Sequence, residues 1–553
     1  MNNTKPKTHK TSYALQLNIG IPSQLFNFVL LCISPCPFSP SVCVFYPMYK
    51  PQSNRTALKL KKEMKILGAL FTISLLLVQQ SISCALRQQI LTDFEAKLQK
   101  LAVASNPTKT KPPFQFPTSK KDGRVFYPIG YGADPTGAEE SSDAILKALA
   151  DALKVQNGSE LLPGINDLGG VVIDFQGGNY KISKPIRFPA VASGNLVMKG
   201  GTLRASITFP GDRHLVELWP PNSELLKEMD SNNFLHLTDV NQQDNVGIYY
   251  EDITFRDILF DSSFRGGGIL IIDSARIRID NCFFLHFTTQ GILVEKGHET
   301  FISSTFLGQH SSVGGDKGEK DYSGTAIDIA GNDNSINNAV IFSAAIGILL
   351  RGQANLVTGV HCYNKATGFG GIGILVKIGA SLTRLDNCYL DFTAIVLEDP
   401  SQVHVTNGLF FGDANVVLKS IKGQVSGLTI VNNMFNGDPK FMNPVVKLDG
   451  DFTSIYQVVI HKNNVHGMRL KSTEGKLTVT GNGTKWVADF SSVLVFPNQI
   501  SHFQYSFYVV EVPAAGLVTH AVTNVSNNVV VVESSTAVNG IISVAVDQYI
   551  YNK

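Results

Sequence analysis

Tryptophan, charge and long apolar runs are scarce in this chain. Of 553 residues two are Trp and 17% are charged, 47 basic against 45 acidic. That balance leaves no electrostatic footprint for a nucleic-acid partner, and 44% hydrophobic residues exclude a disordered chain. The most apolar stretch, Ile66 to Val78, is too short for a membrane span. Seven cysteines are too few for a disulfide scaffold. Cys362 and Cys388 lack a histidine or second cysteine at zinc spacing, so neither metal nor cofactor is expected. Glycine is plentiful at 48 residues, with Val, Ile, Phe and Asn in short clusters, which favours many short strands over a helical bundle.

Lys59, Lys61, Lys62 and Lys65 lead into Ile66 to Val78, and the small residues Ser81, Ser83 and Ala85 follow. This pattern predicts a secretory signal peptide over 64–84 and translation starting at Met64, with 1–63 a dubious extension holding Cys32, Cys36 and Cys43. The mature chain then keeps Cys282, Cys362 and Cys388, at most one internal disulfide, and is expected to be a monomer free of the membrane. Asn157, Asn482 and Asn524 head glycan sequons.

Residues 85–124 form a linker, Pro- and Lys-rich in its second half, and an amphipathic helix is predicted at 138–153. Thr136 and Glu139 have capping-box spacing there, and Ile145, Leu146, Leu149 and Leu153 share a face. Strand patterns then dominate. Segments starting at Ile269, Ile292, Ile327, Ile348, Ile374, Ile395 and Val416 stack in register, 23, 35, 21, 26, 21 and 21 residues apart. Each unit adds a second short strand near an Asn/Cys pair or its equivalent, as at Asn281-Cys282 and Asn387-Cys388. The fold class is therefore all-β, a parallel β-helix over 125–450 capped by the helix, with a small antiparallel β module over 451–553.

Strand alternation places the second and fourth residue of each segment outward. The second column reads Leu270, Leu293, Asp328, Leu349, Leu375, Val396, Val417. The fourth reads Ile272, Glu295, Ala330, Arg351, Lys377, Glu398, Lys419. Asp328, between two leucines, has the setting of a general acid with a raised pKa. Glu295 lies one coil earlier, at a diagonal of about 8 Å, within the span of the two carboxyls of an inverting glycosidase. Asp333 is the other candidate partner, or an Asx-turn aspartate at a corner. Arg351 and Lys377, with Lys365 in a nearby loop, form a row of cations suited to successive carboxylates of an acidic polysaccharide, or else a solvated stripe alternating with Glu295 and Glu398. His361 and Tyr363 are candidate substrate contacts. Two enlarged corners, Gln309 to Ser323 and Tyr363 to Gly371, precede the strands of this face and are placed to wall a groove. Cys362 and Cys388 are expected at one position on adjacent coils, as a thiol stack or a disulfide.

Phe126-Tyr-Pro-Ile-Gly-Tyr-Gly-Ala-Asp-Pro-Thr-Gly resembles the opening signature of the pectate-lyase-like superfamily. Gly324-Thr-Ala-Ile-Asp-Ile-Ala-Gly-Asn-Asp-Asn, Val340-Ile-Phe-Ser-Ala-Ala-Ile-Gly-Ile and Gly352-Gln-Ala-Asn-Leu-Val-Thr-Gly-Val-His-Cys-Tyr-Asn-Lys are similar to blocks of Quartet-type plant polygalacturonases. The resemblance spans roughly 88–553. It implies a right-handed β-helix, secretion to the wall or apoplast, and hydrolysis of α-1,4-galacturonan in pectin. The mainstream polygalacturonase motifs Asn-Thr-Asp, Asp-Asp, Gly-His-Gly and Arg-Ile-Lys are absent in that order: Arg276-Ile-Arg comes too early, and Gly308-Gln-His lacks its second glycine. The expected site therefore rests on the register alone. A pectate or pectin lyase, a β-glucan hydrolase and a non-catalytic pectin-binding wall protein remain as alternatives on the same fold.

Overall fold

The computed structural model describes residues 119–220, 247–309, 323–363, 371–511 and 516–551. The N-terminal extension, the signal peptide, nearly all of the linker, Lys365 and the bodies of both enlarged corners lie outside the described residues.

Ten parallel strands, one per coil, form a first sheet. They are β1 (Ile186–Arg187), β2 (His214–Leu218), β3 (Gly267–Ile272), β4 (Gln290–Glu295), β5 (Thr325–Ile329), β6 (Ile346–Leu350), β7 (Ile372–Val376), β8 (Ala394–Glu398), β9 (Asn415–Lys419) and β10 (Val446–Asp449). The seven leading residues predicted from the repeat, Ile269 through Val416, oppose one another coil by coil and are fully buried. Each coil then continues through two short strands of a second sheet, such as Arg278–Asp280 and Phe283–Leu285, each parallel to its neighbours. Asn281, Asn338, Asn387, Asn407 and Asn432 turn the bend between those two strands at φ of 50–60°. Asparagine tolerates that left-handed conformation better than other side chains, which is why it recurs at coil spacing. The strands wind into a right-handed parallel β-helix, the sense that parallel crossovers take. Its interior is a continuous stack of aliphatic and aromatic side chains, with Phe260 on Phe284 at 4.6 Å and Phe410 on Phe435 at 4.4 Å.

Three local expectations are corrected. Helix α1 covers Ser142–Ala152, four residues later than predicted, and buries Ile145, Ala148, Leu149 and Ala152 against the first strands. Thr136 and Glu139 form no capping box; both donate backbone N–H groups to the Asp134 carboxylate and fix the turn ahead of the helix. Cys362 opposes Leu390 instead of Cys388. The bend residue of its coil is Gly359 (φ 65°), three residues before Cys362, whereas Asn387 immediately precedes Cys388. All three described cysteines are free and buried.

Parallel pairing also continues past residue 450, through Ser454–Tyr456, Val459–His461 and Asn464–His466. The last coils are longer, with Thr429 opposite Val459, so the 21-residue period fades before the solenoid does. Beyond it, strands β11 (Glu474–Asp489), β12 (His502–Val509), β13 (His520–Ser526) and β14 (Val529–Asp547) make the small antiparallel sheet, with its own core around Trp486, Phe490 and Ile542.

Candidate active site

Asp328 leaves β5 on the outer face, opposite Leu293 and Leu349 of the adjacent coils. Its side chain is nevertheless only 6% exposed. Arg351, on the next coil, reaches back over it: Nε donates to Asp328 Oδ1 at 2.9 Å, and Nη2 donates to Glu295 Oε1 at 2.6 Å. One guanidinium thus bridges two carboxyls, and the triad carries one acid more than it has cations. Burial pushes Asp328 and Glu295 above the ordinary carboxylate range, and Arg351 offsets only part of this. Burial works against the charge of Arg351 too, but the two carboxylates outweigh it and hold the guanidinium firmly protonated. Two buried acids sharing one cation favour a state with one carboxyl protonated and the other ionised, the pairing that acid/base chemistry needs.

A second layer steadies Asp328. The Gln290 side chain, at the start of β4, favours the charged form of the Asp328 carboxyl and acts likewise on His214 of β2. The His214 imidazole lies over Gly267 of the intervening coil. A Cβ there would stand 2.4 Å from His214 Cδ2 and 2.3 Å from the Gln290 carbonyl oxygen, so only glycine fits. Burial lowers the His214 pKa to about 4, which keeps the ring neutral. Beside it, Arg213 forks onto the fully buried Glu217, with Nε to Oε1 at 2.9 Å.

The other predicted residues are distributed differently. Asp333 sits at the corner after β5 at φ 60°, half exposed, with His298 Nδ1 3.4 Å from its carboxylate. The expected row of cations exists, but its members are already paired. Arg351 holds Asp328 and Glu295, and Lys377 Nζ is 2.7 Å from the buried Glu398, which Lys419 also contacts at 3.2 Å. His361 and Tyr363 belong to the second sheet and are not brought to Asp328. His361 stacks flat on Tyr389 at 4.3 Å, and Tyr363 is buried edge-on between Phe342 and Phe392. Their strand ends before the corner that leads into β7, so they face outward from a different wall of the coil.

No family model matches the chain. Polygalacturonase QRT3 of Arabidopsis thaliana is 44% identical over 503 residues, covering 89% of this chain and 100% of that protein. The chain belongs to the Quartet-type plant polygalacturonases. Among solved structures, ORF18 of Geobacillus virus E2 superposes with a TM-score of 0.46 at 12% identity, over 78% of this chain and 79% of that one. The A-module of the Azotobacter vinelandii mannuronan C-5 epimerase AlgE6 gives 0.39 at 15% identity, over 62% and 94%.

In this member of the family, Gln290 and His214 are the contributors that sequence reasoning missed. Both lie two residues before the leading positions of their strands, Ile292 and Val216, a place that strict alternation assigns to the core; the residue between, Ala326 on the coil of Asp328, is itself buried in the core, so the alternation breaks there and the register does not find them.

Proposed function

We propose that the protein is a secreted polygalacturonase that hydrolyses α-1,4-linked galacturonan of pectin in the plant cell wall, with inversion. The observation that carries this reading is the buried carboxyl pair on a single guanidinium, in a chain closely related to a polygalacturonase. Protonated Asp328 delivers its proton to the glycosidic oxygen as the C–O bond breaks. Ionised Glu295 takes a proton from the water that attacks the anomeric carbon. Arg351 orients both acids and shares the charge as the proton moves. Glu295 serves as base in preference to Asp333, which is exposed and turned toward His298.

Residues 64–84 direct secretion in this reading, the solenoid acts on the polymer, and the mature protein works as a monomer in the apoplast. No helix among the described residues is long and apolar enough to cross a membrane.

The test is to incubate secreted protein beginning near Ala85 with polygalacturonate, following reducing ends and unsaturated-product absorbance together. Reducing ends without absorbance are expected. Absorbance would identify a lyase, and silence from both would leave a binding protein.

A finer prediction concerns Gln290. Its amide stabilises the ionised form of Asp328, so Gln290→Leu is expected to raise the carboxyl pKa further and move the alkaline limb of the kcat/KM profile upward. A limb that stays in place would show that Gln290 does not act on the acid.

A further inference from the structure

Charge is distributed along the outer face of the first sheet in three groups. At the centre, Glu295 and Asp328 share one cation, Arg351. Three coils toward the N-terminus, Arg213 and, one coil further on, Arg187 surround one buried acid, Glu217. Arg187 stands over the Trp219 ring at 4.6 Å, and among the described residues it has no carboxylate partner. Three coils toward the C-terminus, Lys377 and Lys419 clamp one buried acid, Glu398. The coil beyond adds one charge of each sign, Lys447 and Asp449. Between the groups the second column is aliphatic, Leu270 and Leu293 on one side and Leu349 and Leu375 on the other.

Among the described residues, each flanking group therefore holds one cation more than it has acids. Its acid is the buried member, while Arg213, Lys377 and Lys419 are 30%, 39% and 41% exposed. Internal pairing alone would need no surplus, and it would give no reason for two like-charged groups centred at equal distances from the carboxyl pair.

We infer that Arg187 on one side and Lys377 with Lys419 on the other are distal subsites that hold carboxylates of one polyuronate chain lying along the coil axis across Asp328. At about 4.8 Å per coil, Arg187 lies four coils or about 19 Å from Asp328, and Lys377 and Lys419 lie two and four coils or about 10 and 19 Å away on the other side, so the track from Arg187 to Lys419 spans about 38 Å. A chain that fills it on both sides of Asp328 is cut internally. This rests on the proposed hydrolase reading and adds to it the mode of action and the residues that set it.

The experiment compares kcat/KM on polygalacturonate with that on trigalacturonate, which is too short to reach both subsites from Asp328. The ratio is the readout, because a loss of folding lowers both values and leaves it unchanged. Arg187→Gln and Lys419→Gln are each expected to lower the ratio about 2- to 10-fold at low ionic strength, with the deficit shrinking as salt is added. Arg187→Lys, which keeps the cation, should recover most of it. A ratio equal to that of the unaltered protein in both Gln variants would overturn the inference. If the unaltered protein makes no reducing ends, the hydrolase reading fails separately, and retardation in gels containing polygalacturonate decides the track. Weaker retention of the Gln variants would support it, and equal retention would overturn it.

Discussion

Asp328→Asn is expected to lower kcat on polygalacturonate by about 10²- to 10⁴-fold, the range over which a positioned general acid contributes. The exchange is nearly isosteric. The amide oxygen can still accept from Arg351 Nε, so the bridge to Glu295 is kept while the transferable proton is lost. Stability should not suffer at neutral pH. Burial already penalises the ionised Asp328 carboxyl, and the amide removes that penalty along with the charge. A reducing-end assay paired with a thermal melt separates the outcomes. Lost activity with an undiminished melting temperature places the acid at Asp328, whereas full activity would remove the assignment. A variant that loses both would point to a structural role for the carboxylate.

The register that singles out Asp328 was legible because two periodicities coincide. Alternation along each strand separates inward Ile327 from outward Asp328, and the recurrence of coils aligns Ile327 with Ile292 and Ile348. The partnership of Asp328 with Glu295 through Arg351 was not legible. A stripe of alternating charges reads equally as solvated or as ligand-seeking, and only the reach of one long side chain across two coils decides which carboxyls it joins. That His361 and Tyr363 lie on another wall than Asp328 was not legible for a different reason. A linear sequence shows which residues precede a corner but not that the wall before it faces another direction, and Gly359 takes the bend that asparagine marks elsewhere. The cysteine alignment failed at the same bend, since matching identical side chains ignored the residue that sets the phase of the coil.

Removing the cation from the centre should have the second largest effect, and its pH dependence identifies the cause. Arg351→Met keeps much of the aliphatic stem but leaves Asp328 and Glu295, 6% and 15% exposed, without their shared partner. Breaking a buried ion pair from one side costs about 3–5 kcal/mol. In the variant both carboxyls have folded-state pKa values raised still further above those of the unfolded chain, about 4. The folded state then holds protons that the unfolded state has released, so stability is greatest below the unfolded values and falls as pH rises through the raised ones. Thermal melts should therefore show the variant close to the unaltered protein near pH 4 and well below it at pH 7. A deficit of equal size at both values would mean that Arg351 stabilises the coil by packing alone. Arg351→Lys sharpens the comparison, because an ammonium supplies the charge without the fork that spans both acids. Recovery of neutral-pH stability in the Lys variant, without recovery of kcat, would show that the charge keeps the pair folded while the two-pronged geometry sets it for catalysis.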